Sequence, residues 1–235
     1  MTLWTQLLNT RLQTTQRRES SDMLIFARQK LVFLSVPKTG STAYARALAE
    51  HAALVVTAPP ELKHAPVFRY NRFFREMVER FVGADITIVA VMREPLDWLG
   101  SWYRYRSRDV LRGHPNSTYG MSFDTFVEAY CDPDPPDFAR VGSQAKFLEP
   151  QRNGTRVTHL FRYEDQRSLQ GFLTERLGLV VAPEHANRSP DRIVSLAPAT
   201  RDLLHRACAS DFALYAGIGK NGAYEPPRAA RRKKP

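Results

Sequence analysis

The sequence predicts an α/β fold: a three-layer domain with a central parallel sheet flanked by helices. Three short apolar segments, residues 31–36, 86–92 and 156–161, are each followed by a turn and then by apolar residues at helical spacing. Strands that alternate with helices form βαβ units, which build parallel sheets. With 235 residues in total, we predict a single domain over residues 1–227 and a basic tail over residues 228–235.

Each predicted strand is followed by a predicted helix. Residues 43–54 carry apolar side chains at helical spacing after the first strand, and a helix beginning near Leu96 follows the second. The third helix covers residues 169–177 and ends at Gly178, since glycine commonly terminates helices. A further helix over residues 198–216 closes the domain.

The composition is that of a globular protein. Hydrophobic residues make up 43% of the chain and charged residues 25%, which is typical of a globular domain with a sizeable core. Because no apolar run approaches the roughly 20 residues of a membrane span and no signal-peptide pattern is found, we expect a cytoplasmic protein. Cys131 and Cys208 lie far apart in a sequence without a Cys-x-x-Cys motif, so neither a disulfide scaffold nor a metal site is expected.

The net charge of +10 has two sources. Residues 228–235 contain five basic side chains and no acidic one, so the rest of the chain carries +5. This tail is typical of a solvated appendage, and nucleic acid is not an expected partner. Nine arginines lie between Arg69 and Arg112, and guanidinium groups suit an anionic ligand such as phosphate or sulfate.

Residues 35–42 join the first strand to its helix and contain Lys38, Gly40 and several hydroxyl side chains. A loop between a buried strand and a helix start can bind phosphate through its backbone N–H groups and the helix dipole. The layout is P-loop-like, but Lys38 precedes Gly40, whereas an ATP-binding Walker A loop has lysine after its second glycine. An ordinary strand-to-helix turn is the alternative interpretation.

Together with Arg93 at the end of the second strand and Ser101 eight residues later, this loop resembles the sulfotransferases that use 3′-phosphoadenosine 5′-phosphosulfate (PAPS). The resemblance covers roughly residues 31–217 and is closer to the carbohydrate-type and bacterial branch. It implies that the 5′-phosphosulfate is bound by Lys38, Thr39, Gly40, Ser41 and Thr42. It also implies that Arg93 and Ser101 bind the 3′-phosphate and that Lys38 stabilises the departing 3′,5′-adenosine bisphosphate.

His64 is the candidate general base, because a neutral imidazole can take a proton from an acceptor hydroxyl near neutral pH. A structural role for this histidine is the alternative, and Glu61 and Glu94 are the other candidate bases. Gln144 and the segment 187–189 are candidate polar contacts to cofactor or substrate, or else ordinary capping residues.

The expected activity is therefore transfer of a sulfuryl group from PAPS to an acceptor hydroxyl or amine, on a carbohydrate or a small molecule. Two alternatives stay open: a nucleotide kinase or other P-loop phosphotransferase, and a non-catalytic module that binds anions or nucleic acid. The predicted strands do not end in the aspartate that a magnesium-dependent kinase would require. The sequence specifies neither the acceptor nor the oligomeric state.

Overall fold

The computed structural model describes residues 22–183 and 194–225, and within these ranges it contains a five-stranded sheet in the order β3-β1-β2-β4-β5. The predicted tail and the segment 187–189 lie outside the described residues. The strands are β1 (Met23–Phe26), β2 (Leu31–Leu34), β3 (Leu54–Val56), β4 (Thr87–Met92) and β5 (His159–Arg162).

The sheet is mixed, which corrects the prediction of a parallel sheet. β2, β4 and β5 are mutually parallel and correspond to the three predicted strands, with Leu34 opposite Ala90 and Met92 opposite Arg162. β1 runs antiparallel to both β2 and β3. A short turn, in which Lys30 N donates to Ala27 O at 3.2 Å, joins β1 to β2, and a connection this short permits only antiparallel pairing.

Helices flank this sheet, as predicted, although two of them differ in extent. The predicted helix 43–54 ends early and residues 54–56 form β3, while the predicted helix 198–216 is divided at Cys208. The helices are α1 (Ser41–Leu48), α2 (Pro60–Lys63), α3 (Val67–Phe73), α4 (Arg75–Val82), α5 (Pro95–Arg106), α6 (Phe123–Tyr130), α7 (Gln144–Phe147), α8 (Gln166–Leu177), α9 (Pro198–Ala207) and α10 (Ala209–Ala216).

The central strands are buried on both faces, which confirms the layered α/β arrangement. Side chains alternate between the faces along a strand, so Val32 and Leu34 contribute to one apolar cluster and Leu31 and Phe33 to the other. A third cluster joins α5, α6 and α9. Within the described ranges, no helix is both long enough and apolar enough to cross a bilayer.

Candidate anion-binding site

The carboxyl ends of β2, β4 and β5 lie at the same edge of the sheet, because these strands are parallel. The loop 35–42 follows β2, Arg93 follows β4 and Tyr163 follows β5. Tyr163 N donates to Met92 O at 2.8 Å, so the parallel pairing continues to the edge. Open α/β sheets bind ligands in the crevice outside these strand ends, and here the crevice brings the predicted loop beside Arg93.

Two residues of the loop adopt left-handed backbone conformations, Lys38 with φ 66° and Gly40 with φ 74°. Glycine is favoured at position 40 for a second reason as well: a Cβ there would lie only 3.0 Å from Cε2 of Tyr163, so the ring would have to shift. α1 begins at the next residue, so the amino-terminal end of this helix and of its dipole adjoins the loop. Left-handed residues beside a helix start form the type of concave, N–H-lined backbone that binds anions.

Two of the loop's hydroxyl groups are hydrogen-bonded to the loop itself. Thr39 Oγ1 donates to Val36 O at 2.9 Å, and Ser41 Oγ donates to the same carbonyl at 3.3 Å. Both side chains are buried, whereas Thr42 is half-buried. Thr39 and Ser41 therefore brace the turn with their hydroxyl protons. In the part of the chain that the structure describes, their backbone N–H groups form no backbone hydrogen bond and are the donors that an anion could use.

α5 fixes the other side of the loop. Trp98 Nε1 donates to Pro37 O at 2.8 Å, and Arg93 Nη1 donates to Lys38 O at 3.4 Å. The helix begins sharply at Pro95, and the Glu94 side chain caps it by accepting from Asp97 N at 2.8 Å. These bonds hold the loop against the first turns of α5.

A polar stripe runs along α5 and past its end, formed by Asp97, Ser101, Arg104 and Arg108 at spacings of three or four residues. Asp97 bridges two guanidinium groups: Arg93 Nε lies 2.6 Å from its Oδ2, and Arg104 Nη2 lies 3.6 Å from its Oδ1. Ser101 is buried one turn beyond Asp97 on this stripe. The predicted pair of Arg93 and Ser101 therefore flanks one carboxylate.

The ammonium group of Lys38 lies over aromatic rings of α5. Its Nζ is 4.1 Å from the ring centroid of Tyr105 and 5.8 Å from that of Trp102, and the guanidinium of Arg108 also lies over Tyr105, at 3.8 Å. Burial, followed by the nearby charges of Arg108, Arg93 and Arg104, lowers the pKa of Lys38 from 10.5 to about 8.

The site therefore holds more positive than negative charge. Within residues 22–183 and 194–225, neither Lys38 nor Arg108 forms a salt bridge, and Arg93 and Arg104 share Asp97. Burial is the largest cause of the lowered pKa of Lys38, and these neighbouring cations lower it further by disfavouring the protonated form. An anion with two or more charges would relieve this repulsion. In the described ranges, no group of three acidic, histidine or cysteine residues is arranged to hold a metal ion.

His64 lies beneath the same loop, immediately after α2. Its Nδ1 is 2.8 Å from Ser35 O, and burial lowers the pKa of the imidazole below its ordinary value of 6.5. At neutral pH the ring is uncharged, and because a carbonyl only accepts, Nδ1 carries the proton. Nε2 then has a free lone pair, which is the state that a general base requires.

The two carboxylates proposed as alternative bases have different surroundings. Glu94 caps α5, and burial raises the pKa of its carboxyl group. Glu61 is exposed, and its backbone carbonyl accepts from Arg69 Nη1 at 3.1 Å. Neither carboxylate is joined to the loop 35–42 by a hydrogen bond in the described part of the chain, whereas His64 is.

Gln144 serves the site by holding the backbone of Arg93. Its Oε1 accepts from Arg93 N at 3.0 Å and its Nε2 donates to Arg93 O at 2.8 Å. The carboxylate of Asp211, on α10, in turn accepts from Ser143 Oγ at 2.9 Å and from Ala145 N at 3.1 Å. Both Gln144 and Asp211 are buried, so α10 fixes the segment that positions Arg93.

Several contributors to this site were not predicted from the sequence. Tyr163 packs against Gly40, and the guanidinium of Arg93 lies 4.3 Å from its ring centroid. Asp97, Arg104 and Arg108 share a helical spacing with Ser101, and this spacing is a signal in the sequence that could have identified them.

In comparisons with models of known families, with curated proteins and with solved structures, nothing matches this chain.

Proposed function

We propose that this protein is a PAPS-dependent sulfotransferase that transfers a sulfuryl group to a hydroxyl or amine of a carbohydrate or small molecule. The observation that carries the proposal is the contact between the loop 35–42 and Arg93, with Arg93 Nη1 3.4 Å from Lys38 O. Two cationic groups that the sequence resemblance assigns to opposite ends of one bisphosphate thus flank a single crevice. The excess of positive charge around them suits such a ligand.

The residues fit the chemical groups of the cosubstrate. The loop N–H groups and Lys38 would hold the 5′-phosphosulfate, and Arg93 with Ser101 would hold the 3′-phosphate. PAPS supplies an activated sulfuryl group and a bisphosphate leaving group. Transfer of this kind depends mainly on positioning and on stabilising charge in a loose, in-line transition state.

Two side chains would act during transfer. His64 Nε2 accepts the acceptor's proton as the acceptor oxygen or nitrogen bonds to sulfur, and its Nδ1–H stays on Ser35 O. The bond between sulfur and the bridging oxygen breaks, and Lys38 compensates the negative charge that develops on that oxygen. His64 is hydrogen-bonded to Ser35, and Lys38 lies three residues further along the same loop. The position of the imidazole relative to Lys38 therefore depends on one short segment.

Calorimetry with 3′,5′-adenosine bisphosphate and AMP tests the proposal without knowledge of the acceptor. The protein should bind the bisphosphate far more tightly, and Arg93→Ala should remove most of that difference. Loss of a charge-assisted hydrogen bond costs about 1.5–3 kcal/mol, or roughly ten- to a hundred-fold in affinity. Arg176→Ala is the matched control: Arg176 donates to Gln29 O and Thr87 Oγ1, at the opposite edge of the sheet.

The same titrations distinguish the other functions. Equal binding of bisphosphate and AMP would contradict the sulfotransferase assignment. If nucleotide binding instead requires magnesium and is lost in excess EDTA, the kinase alternative is favoured, because magnesium neutralises the phosphates in those enzymes. Binding of nucleic acid that weakens steeply with salt, without selectivity for the bisphosphate, would favour the non-catalytic module.

A further inference from the structure

Arg108 is a cation of the site to which the proposed function assigns no contact with the ligand. It lies two residues beyond the end of α5 and is half-buried, and its Nε donates to Tyr105 O at 3.0 Å. Its guanidinium lies 3.8 Å from the ring centroid of Tyr105. In the described part of the chain, its two terminal nitrogens form no hydrogen bond and no carboxylate pairs with them. These nitrogens are the forked donors that a guanidinium offers to an anion.

The Tyr105 ring that carries this guanidinium belongs to a row of aromatic side chains along α5. Trp102 packs edge-on against it, with ring centroids 5.9 Å apart, and Trp98 packs edge-on against Trp102 at 6.2 Å. Trp98 is also the residue that donates to Pro37 O. The ring is therefore fixed relative to the loop 35–42, and this fixes the position of the cations that lie over it.

Lys38 approaches the same ring from the loop. Its Nζ lies 4.1 Å from the Tyr105 centroid, so the ammonium and the Arg108 guanidinium are at most about 8 Å apart. Like charges at this separation repel each other, and Arg108 follows burial among the causes that lower the pKa of Lys38. The arrangement costs free energy in the free protein, whereas an anion bound to both groups would offset the repulsion.

Arg112 forms a similar pair with Tyr119, and the comparison shows what is particular to Arg108. The Arg112 guanidinium lies 3.9 Å from the ring centroid of Tyr119 and donates to its hydroxyl. Arg112 is exposed, and its Nη2 lies 3.6 Å from Asp109 Oδ1. Within the described ranges, no second cation lies over the Tyr119 ring. Of the two arginines, Arg108 is therefore the one that shares its ring with the loop lysine.

We propose that the Arg108 guanidinium binds the sulfuryl group of PAPS, which makes Arg108 a further catalytic residue. This inference rests on the proposed function, in which the loop N–H groups hold the 5′-phosphate and Lys38 compensates the charge on the bridging oxygen. The sulfur is bonded to that oxygen, and Arg108 is the guanidinium that lies over the same ring as Lys38. The other two guanidinium groups of the site, those of Arg93 and Arg104, are paired with Asp97.

During transfer, Arg108 holds the sulfuryl oxygens while the sulfur exchanges one bond for another. The acceptor oxygen or nitrogen forms its bond to sulfur, the bond from sulfur to the bridging oxygen breaks, and the electron pair of that bond stays on the bisphosphate. The acceptor's proton passes to His64, and Arg108 keeps its proton because a guanidinium stays charged. Arg108 thus orients the sulfur for in-line attack and attracts the negative charge of the sulfuryl group.

Calorimetry with PAPS and with 3′,5′-adenosine bisphosphate, in the absence of acceptor, tests this contact because the two ligands differ by the sulfuryl group alone. In Arg108→Ala, the affinity for PAPS should fall roughly ten- to a hundred-fold, as for loss of a charge-assisted hydrogen bond, and that for the bisphosphate by less than about threefold. Arg108→Lys retains the charge without the fork and should recover only part of the PAPS affinity. Arg112→Ala is the matched control and should bind both ligands as the wild type does.

The same titrations give the outcomes that would overturn the inference. Equal losses for both ligands in Arg108→Ala would mean that Arg108 acts only through its charge at a distance. Unchanged binding of both ligands, with a raised KM for an anionic acceptor, would assign Arg108 to the acceptor instead. A wild-type protein that binds the bisphosphate no better than AMP would contradict the proposed function and this inference with it. Circular dichroism verifies the fold of each variant, and Arg108→Gln repeats the comparison if the alanine variant fails to fold.

Discussion

Lys38 carries a positive charge that its surroundings disfavour. Its ammonium is largely removed from water and lies near three arginines, and this lowers its pKa to about 8. Contact with the rings of Tyr105 and Trp102 offsets part of that cost, since an aromatic face attracts a cation. A bound bisphosphate would favour the protonated form, so ligand binding and protonation of Lys38 should be coupled.

We therefore expect the affinity for 3′,5′-adenosine bisphosphate to fall as the pH rises through about 8. The free protein loses the Lys38 proton in this range and must regain it on binding, which weakens binding by up to about tenfold per pH unit. The ligand does not titrate there, because the second phosphate pKa is about 6. Calorimetry between about pH 7 and pH 9.5, in buffers of different ionisation enthalpy, measures affinity and proton uptake.

Variants of Lys38 test whether the Lys38 ammonium causes this pH dependence of the affinity. Lys38→Ala should bind more weakly at pH 7 and show a flat profile, whereas Lys38→Arg should retain its charge at high pH. A wild-type pH dependence in Lys38→Ala would assign the titration to another group. Turnover should be lost in Lys38→Ala while the protein stays folded.

His64 is expected to affect the rate rather than cosubstrate binding. His64→Ala should lower turnover by roughly 10²- to 10⁴-fold with little change in bisphosphate affinity, because a general base acts on the acceptor's proton. The measurement is bisphosphate release from PAPS with the best acceptor found in a panel of glycans and small hydroxyl compounds. His51→Ala, at an exposed position, is the matched control.

The pH profile provides a second measurement on His64. Burial lowers the pKa of the imidazole, so the base is present at neutral pH and is lost only as the pH falls below the ordinary value of 6.5. The acid limb of the rate profile should therefore lie lower than for an exposed histidine, and it should disappear in His64→Ala. Loss of bisphosphate affinity in that variant would instead make His64 a binding residue.

At the scale of elements, α5 and the segment around α7 position the charges of the site. α5 joins the loop through Trp98 and aligns Asp97 with Arg93 and Arg104. Gln144, the first residue of α7, is bonded to both backbone polar groups of Arg93. The arginine is therefore fixed at its backbone by one element and at its side chain by another.

Gln144→Leu should weaken both the fold and the selectivity for a 3′-phosphate. It removes two hydrogen bonds and leaves the partly buried backbone N–H and C=O of Arg93 without these partners, which costs at most about 1–3 kcal/mol for each group. Urea unfolding should show the stability loss, and calorimetry should show a smaller difference in affinity between bisphosphate and AMP. Gln151→Leu is the control, since the side-chain amide of Gln151 donates to Glu149 O, two residues away, at 3.0 Å. Unchanged selectivity despite the stability loss would make this clamp purely structural.

The sequence predicted the three parallel strands β2, β4 and β5, because each is a short apolar run that precedes a helical pattern. β1 is apolar throughout, but it was missed because it leads through a short turn into β2 and not into a helical pattern. The three-residue β3 was missed because its first residue, Leu54, completes the apolar pattern of the predicted helix 43–54. The loop 35–42 and Arg93 were found from residue types at strand ends. The contact of Tyr163 with Gly40 depends on the pairing of β5 with β4, which residue spacing alone does not determine.

At the scale of the whole molecule, the net charge of +10 divides between residues 228–235 and the remainder of the chain. At physiological ionic strength, charges separated by more than about 8 Å are largely screened. The affinity for the bisphosphate should thus depend on the charged groups within the site, Lys38 over Tyr105 and Arg93 paired with Asp97. The total charge should matter mainly at low salt, through the association rate.

Deletion of residues 228–235 tests this division, because it lowers the net charge from +10 to +5 and leaves the described site unchanged. We expect bisphosphate affinity within about twofold of wild type at physiological salt, where the Debye length is about 8 Å, and a slower association rate at low salt. A variant with glutamine at the five basic positions of the tail controls for chain length. If either variant loses most of its affinity at physiological salt, the tail itself binds the anion, and the crevice beside Arg93 is not the principal site.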